Sequence, residues 1–70
     1  MSWNQYVFST MATEIAYDDE SKEMTVTWKS GKQTVYEGVP EDVARSVANA
    51  PSVGQSLNQE IKPFYSFRNL

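Results

Sequence analysis

The sequence predicts an α+β domain: a small antiparallel three-stranded meander followed by two helices packed on one face, with aromatic extensions at the N- and C-terminal ends. Three observations carry this reading. Apolar residues alternate with period two between residues 13 and 37. After Gly38 the apolar spacing lengthens to four. Prolines at positions 40, 51 and 63 then punctuate the second half. Period two marks strands with one buried face, and a spacing of three to four marks helices. Strands first and helices after them read as two segregated layers.

The elements follow in order. Trp3 to Phe8 is a short aromatic arm in which Tyr6 and Phe8 share strand parity and Trp3 does not; it reads as an edge strand or as an arm packing on another surface. Thr13, Ile15 and Tyr17 alternate with Glu14 and Ala16, giving the first strand of the meander. Asp18-Asp19-Glu20-Ser21-Lys22 then forms a polar turn. Met24, Val26 and Trp28 face one way and Thr25, Thr27 and Lys29 the other, the clearest strand in the chain. Ser30-Gly31 is a tight turn in which glycine supplies the positive φ that a hairpin requires. Gln33 to Glu37 closes the meander. Pro40 suits a first helical turn, and Glu41 and Asp42 sit where the helix dipole favours acids. Val43 and Val47 are spaced by four until Pro51 ends that helix. Ser52-x-x-Gln55 is a capping box for a second helix, whose stripe is Val53, Leu57 and Ile61. Pro63 stops it, and Phe64, Tyr65 and Phe67 form an aromatic tail.

Size and composition narrow the function. A chain of 70 residues is one domain. At about this length only about 60% of the unfolded surface is buried, so small scaffolds rely on a staple. With no Cys and no His, disulfides, thiolate or imidazole metal sites and the commonest catalytic bases are excluded. A partner chain is then the natural staple, and no cofactor is expected. Nine acids against six scattered bases give a net charge of −3, so no broad basic face exists for long nucleic acid. Asp18-Asp19-Glu20 lacks the alternating carboxylates around a glycine that calcium loops use, and reads as a solvated turn. No basic start with an apolar run suggests a signal peptide, and nothing approaches the roughly 20 apolar residues of a membrane span. The expectation is a cytoplasmic, non-enzymatic protein that does not enter the membrane.

Several stretches resemble a known family. Ser9-Thr10-Met11-Ala12-Thr13-Glu14-Ile15-Ala16-Tyr17-Asp18 is similar to the opening of the KTSC domain, named after the C-terminus of some lysyl-tRNA synthetases. Met24-Thr25-Val26-Thr27-Trp28 followed by Gly31, then Tyr36-Glu37-Gly38-Val39-Pro40, continue the likeness. So do Ala50-Pro51-Ser52-Val53-Gly54 with Asn58 and Ile61. The resemblance divides the chain into an arm over 1–8, a KTSC-like domain over 9–65 and a tail over 66–70. It departs at Thr34-Val35-Tyr36, where the family carries Tyr-x-Tyr. Members occur as synthetase appendages and as small stand-alone bacterial and phage proteins, and RNA binding is the function the resemblance suggests.

Candidate binding residues each carry two readings. Glycine at the second position of a helix costs about 1 kcal/mol relative to alanine. Gly54 therefore implies close approach, either of a ligand to the amides beside Ser52, Gly54 and Asn58 or of a neighbouring element. Tyr36 either stacks on a base or belongs to the core with its hydroxyl at the edge. Lys29 and Lys32 flank the Ser30-Gly31 turn as phosphate contacts or as edge-protecting charges. Arg45 points off the apolar stripe toward an acid of its own helix or of a partner. Among the aromatics, Trp3, Tyr6, Phe8, Phe64, Tyr65 and Phe67 lie at the two ends. They either wrap the outer sheet face over Ala16 and Val35 or form an interface.

The expected function is a small binding module for a nucleotide, an RNA element or another small anion, working as a homo-oligomer. The alternative is a protein–protein adaptor, or a phage-encoded accessory or counter-defence protein that sequesters a nucleotide-like signal or a host protein. The charge distribution yields one expectation at once. Binding to long RNA should be weak at physiological salt, because few phosphates can be neutralised together. A filter assay showing tight, sequence-independent retention would contradict it.

Overall fold

The computed structural model of the chain describes residues 2–70. Five strands form one open antiparallel sheet in sequential order: β1 Ser2–Tyr6, β2 Ala12–Asp18, β3 Glu23–Trp28, β4 Gln33–Tyr36 and β5 Phe67–Asn69. Helix α1 spans Glu41–Ala48, and α2 spans Val53–Ser56 and runs directly into a π-helical turn, Leu57–Ile61. The α+β class and the two helices agree with the sequence reading. The strand count does not: the two aromatic ends, counted outside the three-stranded meander, are the edge strands β1 and β5 of the same sheet, the first in line with the edge-strand reading of Trp3 to Phe8.

The period-two pattern explains the meander. Ile15 and Tyr17 on β2, Met24 and Val26 on β3, and Tyr36 on β4 all point to the helical side and are buried. Against them pack Ala44, Val47 and Ala48 of α1 and Val53, Leu57 and Ile61 of the second helix. Each fully buried Val, Leu, Ile or Met contributes about 1.5–3 kcal/mol relative to exposure. Thr13 corrects the expected register. A bulge between Ala12 and Glu14 places Ala12 in the core beside Ile15, leaves Thr13 exposed, and lets its hydroxyl donate to the Thr27 carbonyl.

Polar groups fix the layers. The Tyr17 hydroxyl donates to the Val39 carbonyl at 2.6 Å, tying the sheet centre to the loop that enters α1. Burial, with Glu41 as a smaller cause, raises that hydroxyl above its ordinary pKa, so it remains a donor at neutral pH. Pro40 stands one residue earlier than expected, as the cap before Glu41. In the second helix the Lys62 amide reaches back five residues to the Leu57 carbonyl at 2.9 Å. This π turn keeps Leu57 and Ile61 buried while bringing Lys62 over the indole of Trp28, 5.4 Å from the ring centroid.

The outer sheet face has no helical cover. Val35 points there, yet it is buried. Its neighbour across β4–β5 is Arg68, whose guanidinium reaches over β4 to Glu37 at 2.8 Å and Glu23 at 2.9 Å. The Arg68 hydrogen bond holds the Glu23 carboxyl below its ordinary pKa. A folded-state pKa that is depressed supplies stability above the unfolded value, lost as pH falls through the folded value. Arg68→Met keeps most of the apolar stem and removes the charge. The variant should melt a few degrees below the parent at pH 7, and the gap should close as pH falls through the lowered Glu23 value. Thermal melts across that range check it.

Candidate functional site

The residues singled out in the sequence fall into three places. Ser52, Gly54 and Asn58 line one groove of about 400 Å³, facing Ser9 and Met11 of the β1–β2 loop. The capping reading of Ser52 is correct: its Oγ accepts from the Gln55 amide at 3.4 Å. Gly54 is buried, and a Cβ there would stand 3.0 Å from Met11 Sδ and 3.4 Å from Ser9 Oγ. The space left by the missing side chain is therefore filled by the loop, which Ser9 shapes by accepting from the Met11 amide. The groove holds hydroxyls and amides but no charged side chain.

Arg45 lies elsewhere. It pairs with Glu41 one turn earlier on α1, at 3.0 Å, and its guanidinium sits 4.7 Å from the Trp3 ring centroid. The Trp3 indole in turn donates to Glu41 at 3.2 Å and stacks beside Tyr17. Arg45, Glu41 and Trp3 thus form a clasp between β1 and α1. Trp3 packs within the chain, and Tyr65 is half-buried against the core. Tyr6, Phe8, Phe64 and Phe67 are exposed, the first two at the β1 end and the others near β5. The terminal aromatics do not wrap the outer face.

The third place joins Tyr36, Trp28 and Lys32 to Thr34, Lys62, Phe67 and Asn69, which the sequence reading had not brought together as one site. On the helical side the second helix ends before it covers β4 and β5. A cleft of about 300 Å³ opens there between Trp28, Tyr36 and Phe67, with Thr34 and Asn69 as its polar part and Lys62 beside it. A neighbouring hollow shares Trp28, Thr34 and Asn69 and extends to Lys32 and Leu70. Tyr36 is buried, which raises its hydroxyl pKa, and its ring supports Phe67 at 6.1 Å. Trp28 is half-buried and Phe67 exposed, so both offer aromatic surface to the cleft. Lys29 is exposed near the turn but lines neither hollow.

Three polar side chains cross the cleft floor in a row. The Trp28 indole donates to Thr34 Oγ1 at 2.9 Å, and the Thr34 hydroxyl donates to Asn69 Oδ1 at 2.9 Å. Lys62 and Lys32 are in no ion pair with an acidic side chain among the described residues. No acidic side chain lines either hollow. This contrasts with the open outer face, where a shallow depression over Ala16 and Thr25 is bordered by Asp18 and Glu23. Among the described residues no cluster of acidic side chains could hold a metal ion, and no helix is long and apolar enough to cross a membrane.

An uninterrupted five-stranded antiparallel sheet with helices on one face and an aromatic, lysine-flanked cleft at its edge defines a small one-sided α+β domain. The KTSC domain model matches residues 8–65, and the chain belongs to the KTSC domain family. An uncharacterized protein of Stutzerimonas stutzeri (strain A1501) is 34% identical over 55 residues, covering 79% of this chain and 78% of its own. A lysine–tRNA ligase of Nostoc punctiforme is 33% identical over 57 residues, or 81% of this chain, which spans only 10% of the ligase. The crystal structure of a KTSC domain protein from Yersinia pestis superposes over all of this chain and 99% of its own with a TM-score of 0.91. At 24% identity that match speaks to the fold.

Gly54 gives the sharpest test of the first groove. A valine there must displace Met11 as well as enter a helix with a β-branched side chain. Gly54→Val should lose about 1–3 kcal/mol of stability in urea unfolding. Gly54→Ala should change it little, because helix propensity of about 1 kcal/mol offsets a small shift of the flexible Met11 side chain. Equal stability of the valine variant and the parent would show that the loop does not pack there.

Proposed function

We propose that this protein is a non-enzymatic binding module that takes a nucleotide, or the base and phosphate of a short RNA, in the Trp28–Phe67 cleft. The observation that carries the reading is charge against background. In a chain of net charge −3, two lysines flank an aromatic cleft that no acidic side chain enters. Aromatic faces accept any base, and lysine ammonium groups favour phosphate. The cleft volume, about 300 Å³, is at the lower end for small-molecule sites and fits one nucleotide rather than a strand. The acidic outer face also argues against an extended RNA track. The kinship with part of a lysine–tRNA ligase agrees with a nucleotide-directed role in the cytoplasm.

A second reading rests on a different observation. Tyr6 and Phe8 are exposed beside Pro51 at one end of the sheet, and Phe64 and Leu70 are exposed at the other. Exposed aromatic side chains of this kind support self-association or an adaptor role, including capture of a host protein by a phage-encoded relative.

Guanosine monophosphate titrated into a Trp3→Phe variant, which keeps Trp28 as the reporter, tests the first reading. Quenching of Trp28 should saturate, and Lys62→Ala should weaken binding about tenfold through loss of a charge-assisted contact. Absence of any change up to millimolar nucleotide would refute it. Light scattering on the same samples reads the second: an 8.0 kDa monomer at high concentration excludes self-association.

A further inference from the structure

We infer that the cleft discriminates by base edge, preferring nucleotides whose base presents a carbonyl where the competitor presents an amine: guanine over adenine, and uracil over cytosine. The inference deepens the nucleotide-binding reading and rests on it. It comes from the direction of the hydrogen bonds on the cleft floor.

The indole N–H of Trp28 can only donate, so Thr34 Oγ1 must accept from it. Thr34 is buried, and its hydroxyl has a single proton to give. The acceptor for that proton is Asn69 Oδ1 at 2.9 Å. If the Asn69 amide were reversed, its Nδ2 would donate to Thr34 as well. The Thr34 proton would then be left buried without an acceptor, at a cost comparable to a lost hydrogen bond. The row Trp28–Thr34–Asn69 therefore runs one way. It turns the Asn69 oxygen inward and leaves the two Nδ2 protons for the cleft.

An exposed asparagine on its own would be neutral in recognition, because its amide can rotate to offer either a donor or an acceptor. Here rotation is blocked by a residue two strands away. The charged groups beside the cleft have the same sense. Lys62 Nζ has donors only, and Lys32, at the far end of the adjoining hollow, is also donor-only. A ligand that meets Asn69 Nδ2 and Lys62 must supply acceptors to them. Guanine offers O6 and N7 side by side, whereas adenine places an N6 amine next to N7. Uracil likewise has a carbonyl where cytosine has its N4 amine. An amine directed at Asn69 Nδ2 would meet donor with donor.

The test is a matched panel of GMP against AMP and UMP against CMP, read by Trp28 fluorescence in the Trp3→Phe background. The carbonyl member of each pair should bind about tenfold tighter, the scale of one good base contact. Thr34→Val keeps the β-branched shape but removes the relay, so Asn69 can turn, and the preference should fall to near unity while binding persists. Thr34→Ser should retain the preference. Asn69→Asp, at an exposed position that leaves the core untouched, replaces donors with acceptors and should abolish or invert it. If no nucleotide binds, both this inference and the functional reading fail. If all four bind equally to the parent, or if Thr34→Val and Asn69→Asp keep the full preference, the relay does not set specificity and this inference alone is overturned.

Discussion

One sheet face is all that a chain of this size can bury, and the remaining features follow from how that face is covered. Two short helices bring six side chains, Ala44, Val47, Ala48, Val53, Leu57 and Ile61, down on β2 and β3. The Tyr17 hydroxyl, bonded to Val39, holds the loop from which α1 departs. With the centre fixed, the helices run out before the sheet does. On the β1 side the shortfall is covered by Trp3, clasped between Glu41 and Arg45. On the β4–β5 side nothing equivalent arrives, and the inner face there stays open as the aromatic cleft. The functional reading is thus a consequence of geometry: the helical layer is narrower than the sheet it covers.

Much of the central architecture was legible because it follows local rules. Met24, Val26 and Trp28 alternate within six residues, and Val53, Leu57 and Ile61 recur within nine, so period alone identifies their elements. Of the edge strands, β1 was legible only as one of two readings and β5 not at all. In β5 only three residues pair, and their partners Thr34 to Tyr36 lie some thirty positions earlier. β1 mixes inward Trp3 and Gln5 with outward Asn4 and Tyr6, a pattern that polar and aromatic residues blur. The bulge at Thr13 shifts the face by one residue, which no propensity reveals.

The candidate sites divide in the same way. Ser52, Gly54 and Asn58 are close in sequence and were grouped correctly in space, yet the reason for Gly54 is Met11, more than forty residues away. Tyr36 and Lys32 were named without the neighbours that give them a role. Trp28, Thr34 and Asn69 come together only through the pairing of three strands. A chain of hydrogen bonds that crosses strands leaves no spacing to detect in the sequence. Arg68 is similar: as one isolated base it has no motif, and its importance to Val35 appears only once β5 lies beside β4.

The way β5 joins the sheet also matters for the order of assembly. β1 to β4 are joined by short hairpin connections, whereas β5 can dock only after both helices have turned the chain back. Its three residues are exposed and contribute little to the core. Short exposed edge strands are the kind of segment that opens most readily while a domain stays folded. Detachment would remove Phe67 and Asn69 from the cleft and release Arg68 from its acids in one motion. If the cleft binds a ligand as proposed, occupancy of the cleft and docking of the last strand would be two views of a single equilibrium, and the ligand would also complete the sheet.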